Sequence, residues 1–333
     1  MKNLPKQMMG ITITKPGGPD VLMPETFDLP IPSDFEVLIK VHAAGVNRPD
    51  CLQRAGLYIV PEGASPLPGL EVSGEVVVVG KNVTNWCVGD KVVALTHGGG
   101  YAEYCLADQG HCLPWPTSLT AEEAATLPET TFTVYHNLID RGELKAGESV
   151  LIHGGSSGVG STAIQIAKAM NARVIVTAGS DEKCDYCLEL GADFAVNYNT
   201  EDFVDEIRKI QKPLGVDVVL DMVAGSYVKK NIQLLSPDGR YIMIAFLGGI
   251  TSEVNFGHLL TKRLSLKGST LRPQSVEQKT AIASAVLECM WPLIETGELT
   301  SNIYRNFSLL DASKAHHLME SSQHLGKIVL KVI

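Results

Sequence analysis

The run that most constrains this chain lies between Glu148 and Lys183, ESVLIHGGSSGVGSTAIQIAKAMNARVIVTAGSDEK. Ser149–His153 is apolar and partly β-branched, the pattern of a strand buried on both faces. Gly154, Gly155, Gly158 and Gly160 follow at once, and a helical pattern then runs from Val159 to Met170. Ala163, Ile164, Ile166, Ala167 and Met170 fall on its apolar side. A second buried strand is expected at Arg173–Thr177. Strand, glycine turn, helix, strand is a mononucleotide-binding βαβ unit.

The glycines have separate expected roles. Gly155 lets the chain turn off the strand, Gly158 lets a pyrophosphate approach the backbone, and Gly160 lets the helix lie close to the strand. The helix N-terminus offers unpaired N–H groups and partial positive charge to phosphates. The spacing is Gly-x-x-Gly-x-Gly rather than Gly-x-Gly-x-x-Gly, and a glycine pattern alone is also compatible with a tight turn that binds nothing. Its place between two apolar strands is what favours a ligand. The cofactor candidates here are Gly155, Ser156, Ser157, Gly158, Val159 and Gly160.

The end of the second strand bears on which dinucleotide binds. An NAD site usually has Asp or Glu there to accept from the ribose 2′-hydroxyl. This chain has Ala178-Gly179-Ser180, with Lys183 three residues on. A hydroxyl and an ammonium without the acid suit the 2′-phosphate of NADPH. Lys183 alone reads better as an exposed helix lysine, the missing acid being what favours the phosphate, and Asp181 fits the phosphate only if its carboxylate points away.

The 333 residues are ample for two domains. No apolar run approaches the ~20 residues of a membrane span, and the start, MKNLPKQMMGITI, lacks the features of a secretory signal. A cytoplasmic protein with no membrane partner is expected. A net charge of −9 argues against a nucleic-acid surface. The seven cysteines show no disulfide-framework spacing. The tight pair Cys184-x-x-Cys187 falls in a helical pattern and reads as packing, not as a metal site.

The first 120 or so residues are β-rich, with strand-like runs at Met9–Thr14, Glu36–Ala44, Val72–Gly80, Lys91–Leu95 and Tyr101–Leu106. Thr120 with Glu123 forms a capping box that opens a helical bridge to Leu144. Four more strands are expected at Phe194–Tyr198, Val216–Met222, Tyr241–Phe246 and Leu264–Lys267. A long helix is expected at Ser275–Gly297. Strand Ile303–Ser308, helix Asp311–Ser321 and strand Lys327–Val332 finish the chain. His316 and His317 read as surface residues, and Trp291 as packing.

Several blocks carry a family resemblance: AAGVNRPD at 43–50, PGLEVSG at 68–74, VGDKV at 88–92, GYAEY at 100–104, and the glycine turn. The chain resembles the medium-chain dehydrogenase/reductase (MDR) superfamily. Within it, the chain resembles the zinc-free quinone oxidoreductases and most of all the p53-inducible quinone oxidoreductase group. NRPDCLQR at 47–54, TAGS at 177–180 and GKIVL at 326–330 point to that group. The implied fold is α/β: a GroES-like β-barrel domain plus a Rossmann domain with a doubly wound parallel six-stranded sheet. The implied division is 1–122 for the first part of the GroES-like catalytic domain, 123–298 for the Rossmann NADP-binding domain, and 299–333 for a return to the catalytic domain.

Zinc-dependent relatives place Cys where this chain has Asn47, and Gly-His-Glu where it has Gly69-Leu70-Glu71. Leucine cannot ligate zinc, and the four-Cys lobe is missing between Gly89 and Gly98, so no metal is expected. The resemblance implies direct hydride transfer from NADPH to a quinone in an interdomain cleft, without zinc or flavin. It places Asn47 and Tyr58 as catalytic hydrogen-bond donors near the nicotinamide. Asn47 reads otherwise as a loop residue bonding backbone, and Tyr58 as a half-buried aromatic.

The resemblance also assigns Gly179, Ser180, Lys183 and Tyr198 to the adenosine 2′-phosphate end. It assigns Thr133, Phe246, Leu247, Gly248, Ser269, Thr270, Leu271 and Lys327 to the rest of the cofactor. A homodimer paired along an edge strand near Leu264–Lys267 is implied as well. Two other functions fit the same features: reduction of activated alkenes (enals, enones or enoyl thioesters), and NADPH sensing without catalysis.

Overall fold

The computed structural model describes residues 4–210 and 215–332. The chain divides into two compact units. Unit 1 comprises Met1–Phe132 and Arg272–Ile333, and unit 2 comprises Thr133–Leu271.

Unit 1 is built on antiparallel sheet. Its first strands are β1 (Gln7–Ile13), β2 (Leu22–Asp28), β3 (Glu36–Val46), β4 (Glu71–Val79), β5 (Lys91–Leu95), β6 (Tyr104–Asp108) and β7 (Cys112–Pro114). β1 and β2 form a separate ribbon. β3 is the spine: it pairs antiparallel with β4 on one edge, and with β6 and the C-terminal strand at its two ends on the other. Its buried Val37, Ile39, Val41, Ala44 and Val46 supply one side of the core. The pattern missed β2 because most of it is exposed, and missed β7 because it has three residues.

Unit 2 carries β8 (Ser149–His153), β9 (Arg173–Ala178), β10 (Phe194–Asn197), β11 (Val216–Asp221), β12 (Leu235–Met243) and β13 (Ser265–Gly268). They form a six-stranded sheet in the order β10-β9-β8-β11-β12-β13, parallel at every pairing. This is the doubly wound arrangement expected. β12 begins six residues earlier than the Tyr241 start expected from sequence. Pro237-Asp238-Gly239, with Asp238 at φ 62°, is an irregularity inside the strand.

The chain then returns to unit 1 through β14 (Ile303–Ser308) and β15 (Lys327–Lys331). β15 pairs antiparallel with the C-terminal end of β3.

Helices differ from expectation where proline falls. The long helix divides into Val276–Cys289 and Trp291–Glu295, because Pro292 cannot donate within a continuous helix. The bridge from Thr120 divides into Ala121–Ala124, Leu127–Val134 and a π-helix at Tyr135–Arg141. Its capping box is present: Glu123 N donates to Thr120 Oγ1 at 3.3 Å, and Thr120 N donates to Glu123 Oε2 at 2.9 Å. The inserted unit is narrower than the expected 123–298. Helix Val276–Cys289 belongs to unit 1, where it packs on β7 and the turn Gln109–His111, and Trp291 Nε1 donates to Pro114 O at 2.9 Å.

Candidate active site

The run NRPDCLQR forms a short helix, Arg48–Arg54, with Asn47 at its N-cap and proline in its first turn. Asp50, Gln53 and Arg54 lie at spacings of three and four, on one face, and all are buried. Each has a separate partner. Asp50 accepts from Asn47 N at 2.8 Å, Gly69 N at 2.9 Å and the Tyr101 hydroxyl at 3.3 Å. Gln53 accepts from Arg272 Nη1 at 2.7 Å. Arg54 donates to Gly17 O at 3.0 Å and pairs with Glu320 at 2.5 Å, with His316 Nδ1 3.2 Å away. Burial raises the Asp50 carboxyl to about 6 despite the two backbone donors.

Beside this helix a lysine and a glutamate meet. Lys327 Nζ lies 2.6 Å from both Glu71 Oε1 and Asn47 Oδ1, and Asn47 Nδ2 donates to the same Glu71 oxygen at 2.8 Å. The other Glu71 oxygen accepts from Glu129 N at 2.9 Å. Glu71 is fully buried and Lys327 nearly so. Asn47 thus has its carbonyl and one N–H committed within the protein, leaving a single N–H for any ligand. The oxygens at the positions that zinc-dependent relatives use hold an ammonium, next to the buried apolar Leu70.

Tyr58 lies half-buried beyond the helix. The Arg272 guanidinium stands over its ring, 5.6 Å from the centroid. Burial raises the Tyr58 phenol, so it is protonated at neutral pH and able to donate. Glu129 is drawn into the same electrostatic group: burial first, then the negative charge of Glu71, push its carboxyl up to about 8.

In unit 2 the glycine turn leads from β8 into helix Gly158–Ala169. Positive φ falls at Gly154 (70°), not at Gly155. Gly155 is required for another reason: a Cβ there would lie 2.8 Å from Val176 Cβ and 3.0 Å from Cys187 Sγ. A Cβ at Gly160 would lie 2.3 Å from Gly154 O, so the helix and turn meet closely, as expected. Ser157 caps the helix, its Oγ accepting from Gly160 N at 3.0 Å. Cys184 and Cys187 are both buried in helix Asp181–Glu189.

At the end of β9, Ser180 caps helix Asp181–Glu189, accepting from Lys183 N at 3.3 Å. Asp181 accepts from Asn197 Nδ2 at 2.7 Å. A Cβ on Gly179 would meet the Tyr198 hydroxyl at 2.6 Å, which brings Gly179, Ser180, Lys183 and Tyr198 into one locality.

Leu247 N and Gly248 N donate to Met222 O at 3.1 Å and Val223 O at 2.6 Å, tying the loop after β12 to the end of β11. Phe246 and Leu247 themselves are exposed. Ser269 Oγ donates to Asn137 Oδ1 at 2.6 Å, and Asn137 Nδ2 donates to Thr133 O at 2.9 Å, which links Ser269 to Thr133. Lys327 belongs to unit 1, and the contacts above are its own.

The chain is 36% identical to quinone oxidoreductase of Sus scrofa over 328 residues, 98% of each chain. It belongs to the quinone oxidoreductases of the MDR superfamily. Residues 33–117 match the alcohol dehydrogenase GroES-like domain, and residues 158–286 match the family described as zinc-binding dehydrogenase. Among solved structures, Escherichia coli quinone oxidoreductase complexed with NADPH has a TM-score of 0.86 at 29% identity, covering 98% of this chain and 100% of that one. CurK enoyl reductase has a TM-score of 0.87 at 28% identity, covering 98% and 99%. As a member of this family the chain is an oxidoreductase.

Family membership does not point to the residues that only the folded chain brings together. Arg272, Glu129 and Lys279 were absent from the sequence reading, since each lies in an unremarkable helical or loop pattern far from residue 58. The expectation that His316 lies at the surface is corrected. It is fully buried, its Nε2 3.1 Å from the Tyr101 hydroxyl, and burial lowers it to about 3. Only His317 is exposed. The one available signal was helical spacing, which places Ala312, Ala315, His316 and Met319 on the buried face of helix Ala312–Ser321.

Proposed function

We propose that this chain is an NADPH-dependent quinone reductase working without zinc or flavin. The observation that carries the cofactor choice is at the end of β9. No carboxylate is offered to a ribose hydroxyl there: the strand ends in Ala178 and leads into Gly179 and Ser180, while Asp181 is bonded to Asn197. Ser180, Lys183, Gly179 and Tyr198 then receive the 2′-phosphate. The glycine turn fits the pyrophosphate. The close contact at Gly160 leaves no room for a side chain, and Ser157 takes up the Gly160 amide, leaving the Gly158 and Val159 amides to a ligand. Bound NADPH supplies the hydride.

The chain's own part is to orient the acceptor and stabilise charge on its oxygen. Tyr58 donates to that oxygen, and the second N–H of Asn47 is a further donor. Leu70 cannot ligate zinc, and the side-chain oxygens of Asn47 and Glu71 are taken up by Lys327. A quinone suits this donor set because reduction aromatises its ring and its oxygens take protons from water. The acceptor is a small molecule. β13 is the edge of the unit 2 sheet and carries the half-exposed Leu266, so the expected homodimer would pair there.

Alkene reduction is a second reading. It is favoured by the protonated Glu129 carboxyl, a source for the proton that the enolate carbon left by hydride addition would need, and by the likeness to CurK enoyl reductase. The test is oxidation of NADPH and of NADH by purified protein with 1,2-naphthoquinone and with an enal. Turnover favouring NADPH and the quinone supports the proposal, and turnover favouring the enal replaces it. In the same assay Lys183→Ala should weaken NADPH roughly 10- to 100-fold, the worth of a charge-assisted hydrogen bond, with little effect on NADH. Equal losses would remove the 2′-phosphate assignment.

A further inference from the structure

Two buried cations in this protein each face a carboxylate, Arg54 with Glu320 and Lys327 with Glu71, and the partly buried Arg240 does so with Glu148. Arg272 and Lys279 are also buried, 6% and 4% exposed, yet neither has a carboxylate within ion-pair distance among the described residues. Arg272 spends Nη1 on Gln53 Oε1 at 2.7 Å and Nη2 on His97 O at 3.3 Å, and its buried Nε–H has no acceptor. Gly98 makes room for it, since a Cβ there would lie 3.0 Å from Nη2. The Lys279 ammonium has no hydrogen-bond partner among the described residues, and unlike Arg272 Nε it keeps some access to solvent.

The two cations and the groups around them form one electrostatic neighbourhood. Both disfavour a charge on His97, which burial and these neighbours lower to about 4, and Lys279 disfavours a charge on His111. Both histidines are therefore neutral at pH 7 and add no further positive charge. Of the acids nearby, Glu129 is protonated near neutrality. Asp50 is occupied by two backbone donors and Tyr101, and Asp108 accepts from Gly110 N at 2.8 Å. Arg272 feels the negative charge of Asp50 and Lys279 that of Asp108, but neither carboxylate comes within ion-pair distance, so the compensation is incomplete and an anion would improve it. Arg272 stands over the ring of Tyr58, the residue proposed to meet the acceptor's oxygen.

We infer that Arg272 and Lys279 form an anion-recognising wall beside Tyr58, so that the preferred acceptor is a quinone bearing a negatively charged substituent such as a carboxylate or sulfonate. The inference rests on the quinone reductase reading and names its substrate class. Arg272 contributes a fixed planar donor and Lys279 a point charge, a pair that suits an anionic group held close to the reacting ring.

The test compares kcat/KM for 1,2-naphthoquinone-4-sulfonate and 1,2-naphthoquinone in the wild type, Lys279→Met and Lys279→Arg. The wild type should prefer the sulfonate about tenfold or more, because the neutral quinone leaves both cations unpaired. Lys279→Met should bring that ratio towards one, and Lys279→Arg should keep it. A wild-type ratio near one overturns the inference. So does a Lys279→Met variant that keeps the preference, or one whose loss is matched by weaker NADPH binding, which would assign the cations to the cofactor.

If neither quinone is consumed, the quinone reductase reading fails separately. Calorimetry with naphthalene-2-sulfonate then decides the anion site. Binding to the wild type that Lys279→Met abolishes supports the site, and no binding overturns it.

Discussion

Each unit buries a polar network, and the two solve the same problem differently. In unit 2, His153 at the end of β8 lies 2.9 Å from Thr177 Oγ1 and 2.8 Å from Asn231 Oδ1. Asn231 and Tyr241 in turn donate to Asp221 Oδ2 at 3.0 and 2.6 Å. The amides of Val223 and Ala224 complete the carboxylate at 2.6 and 3.1 Å. One charge is neutralised there by dipoles, and burial keeps His153 uncharged. In unit 1 the buried carboxylate of Glu71 instead meets a full counter-charge on Lys327, and the buried guanidinium of Arg54 meets the exposed Glu320. Dipoles tolerate the loss of one donor because others remain. A counter-ion cannot be lost without leaving a bare buried charge.

The largest expected effect follows from that difference. Lys327→Met strands Glu71 in a fully buried site and should destabilise unit 1 by ~3–5 kcal/mol. All three tryptophans (Trp86, Trp115 and Trp291) lie in unit 1, so urea unfolding followed by tryptophan fluorescence reads that unit selectively. Adding Glu71→Gln should recover more than half of the loss, since it removes the stranded charge. A loss below about 1 kcal/mol in the single variant would mean that water reaches Glu71 and that the contrast between the networks is false.

A smaller loss is expected in unit 2. Asp221→Asn keeps the shape but removes the charge that orients four donors, and should cost ~2 kcal/mol. Hydrogen exchange is the fitting readout, because the Val223 and Ala224 amides lose their acceptor directly. Faster exchange at these two amides, with the unit 1 amides unaffected, is the expected result. Unchanged exchange would show that Asp221 is dispensable to the loop that follows β11.

The same contrast explains what could be read from the sequence. The unit 2 strands, the glycine turn and the Ser180–Lys183 cap are written in contiguous residues, because parallel strands and their crossover helices are local patterns. The run NRPDCLQR at 47–54 stood out in sequence as a family signature, but its buried partners did not. Its Arg54 meets Glu320 266 residues on, and Asn47 meets Lys327 280 residues on. Such partners are brought together by the pairing of β15 with β3, and no periodicity announces them. Arg272 was hidden in the same way. β12 was misplaced for the opposite reason: its Pro-Asp-Gly irregularity is a strong local signal that tertiary pairing with β11 overrides.

The smallest expected effect tests the charge balance of unit 1 through pH. Glu129 titrates near 8 in the folded protein, above its ordinary value of 4.5. A carboxyl raised on folding contributes stability that is present below its unfolded value and is lost as pH rises through the folded one. Asp50, raised to about 6, acts the same way at lower pH. His97 and His316, lowered to about 4 and 3, act in the opposite sense, contributing stability above 6.5 that is lost on acidification. Between pH 6.5 and 8.5 the lowered histidines of unit 1 gain stability while Glu129 loses it. Because the histidines are common to both proteins, wild-type unit 1 should lose ~1–2 kcal/mol across that window relative to Glu129→Gln. If both proteins show the same slope, Glu129 is already ionised at neutral pH. It would then join Asp50 as a second acid near Arg272 and Lys279, and the wall beside Tyr58 would no longer be short of negative charge.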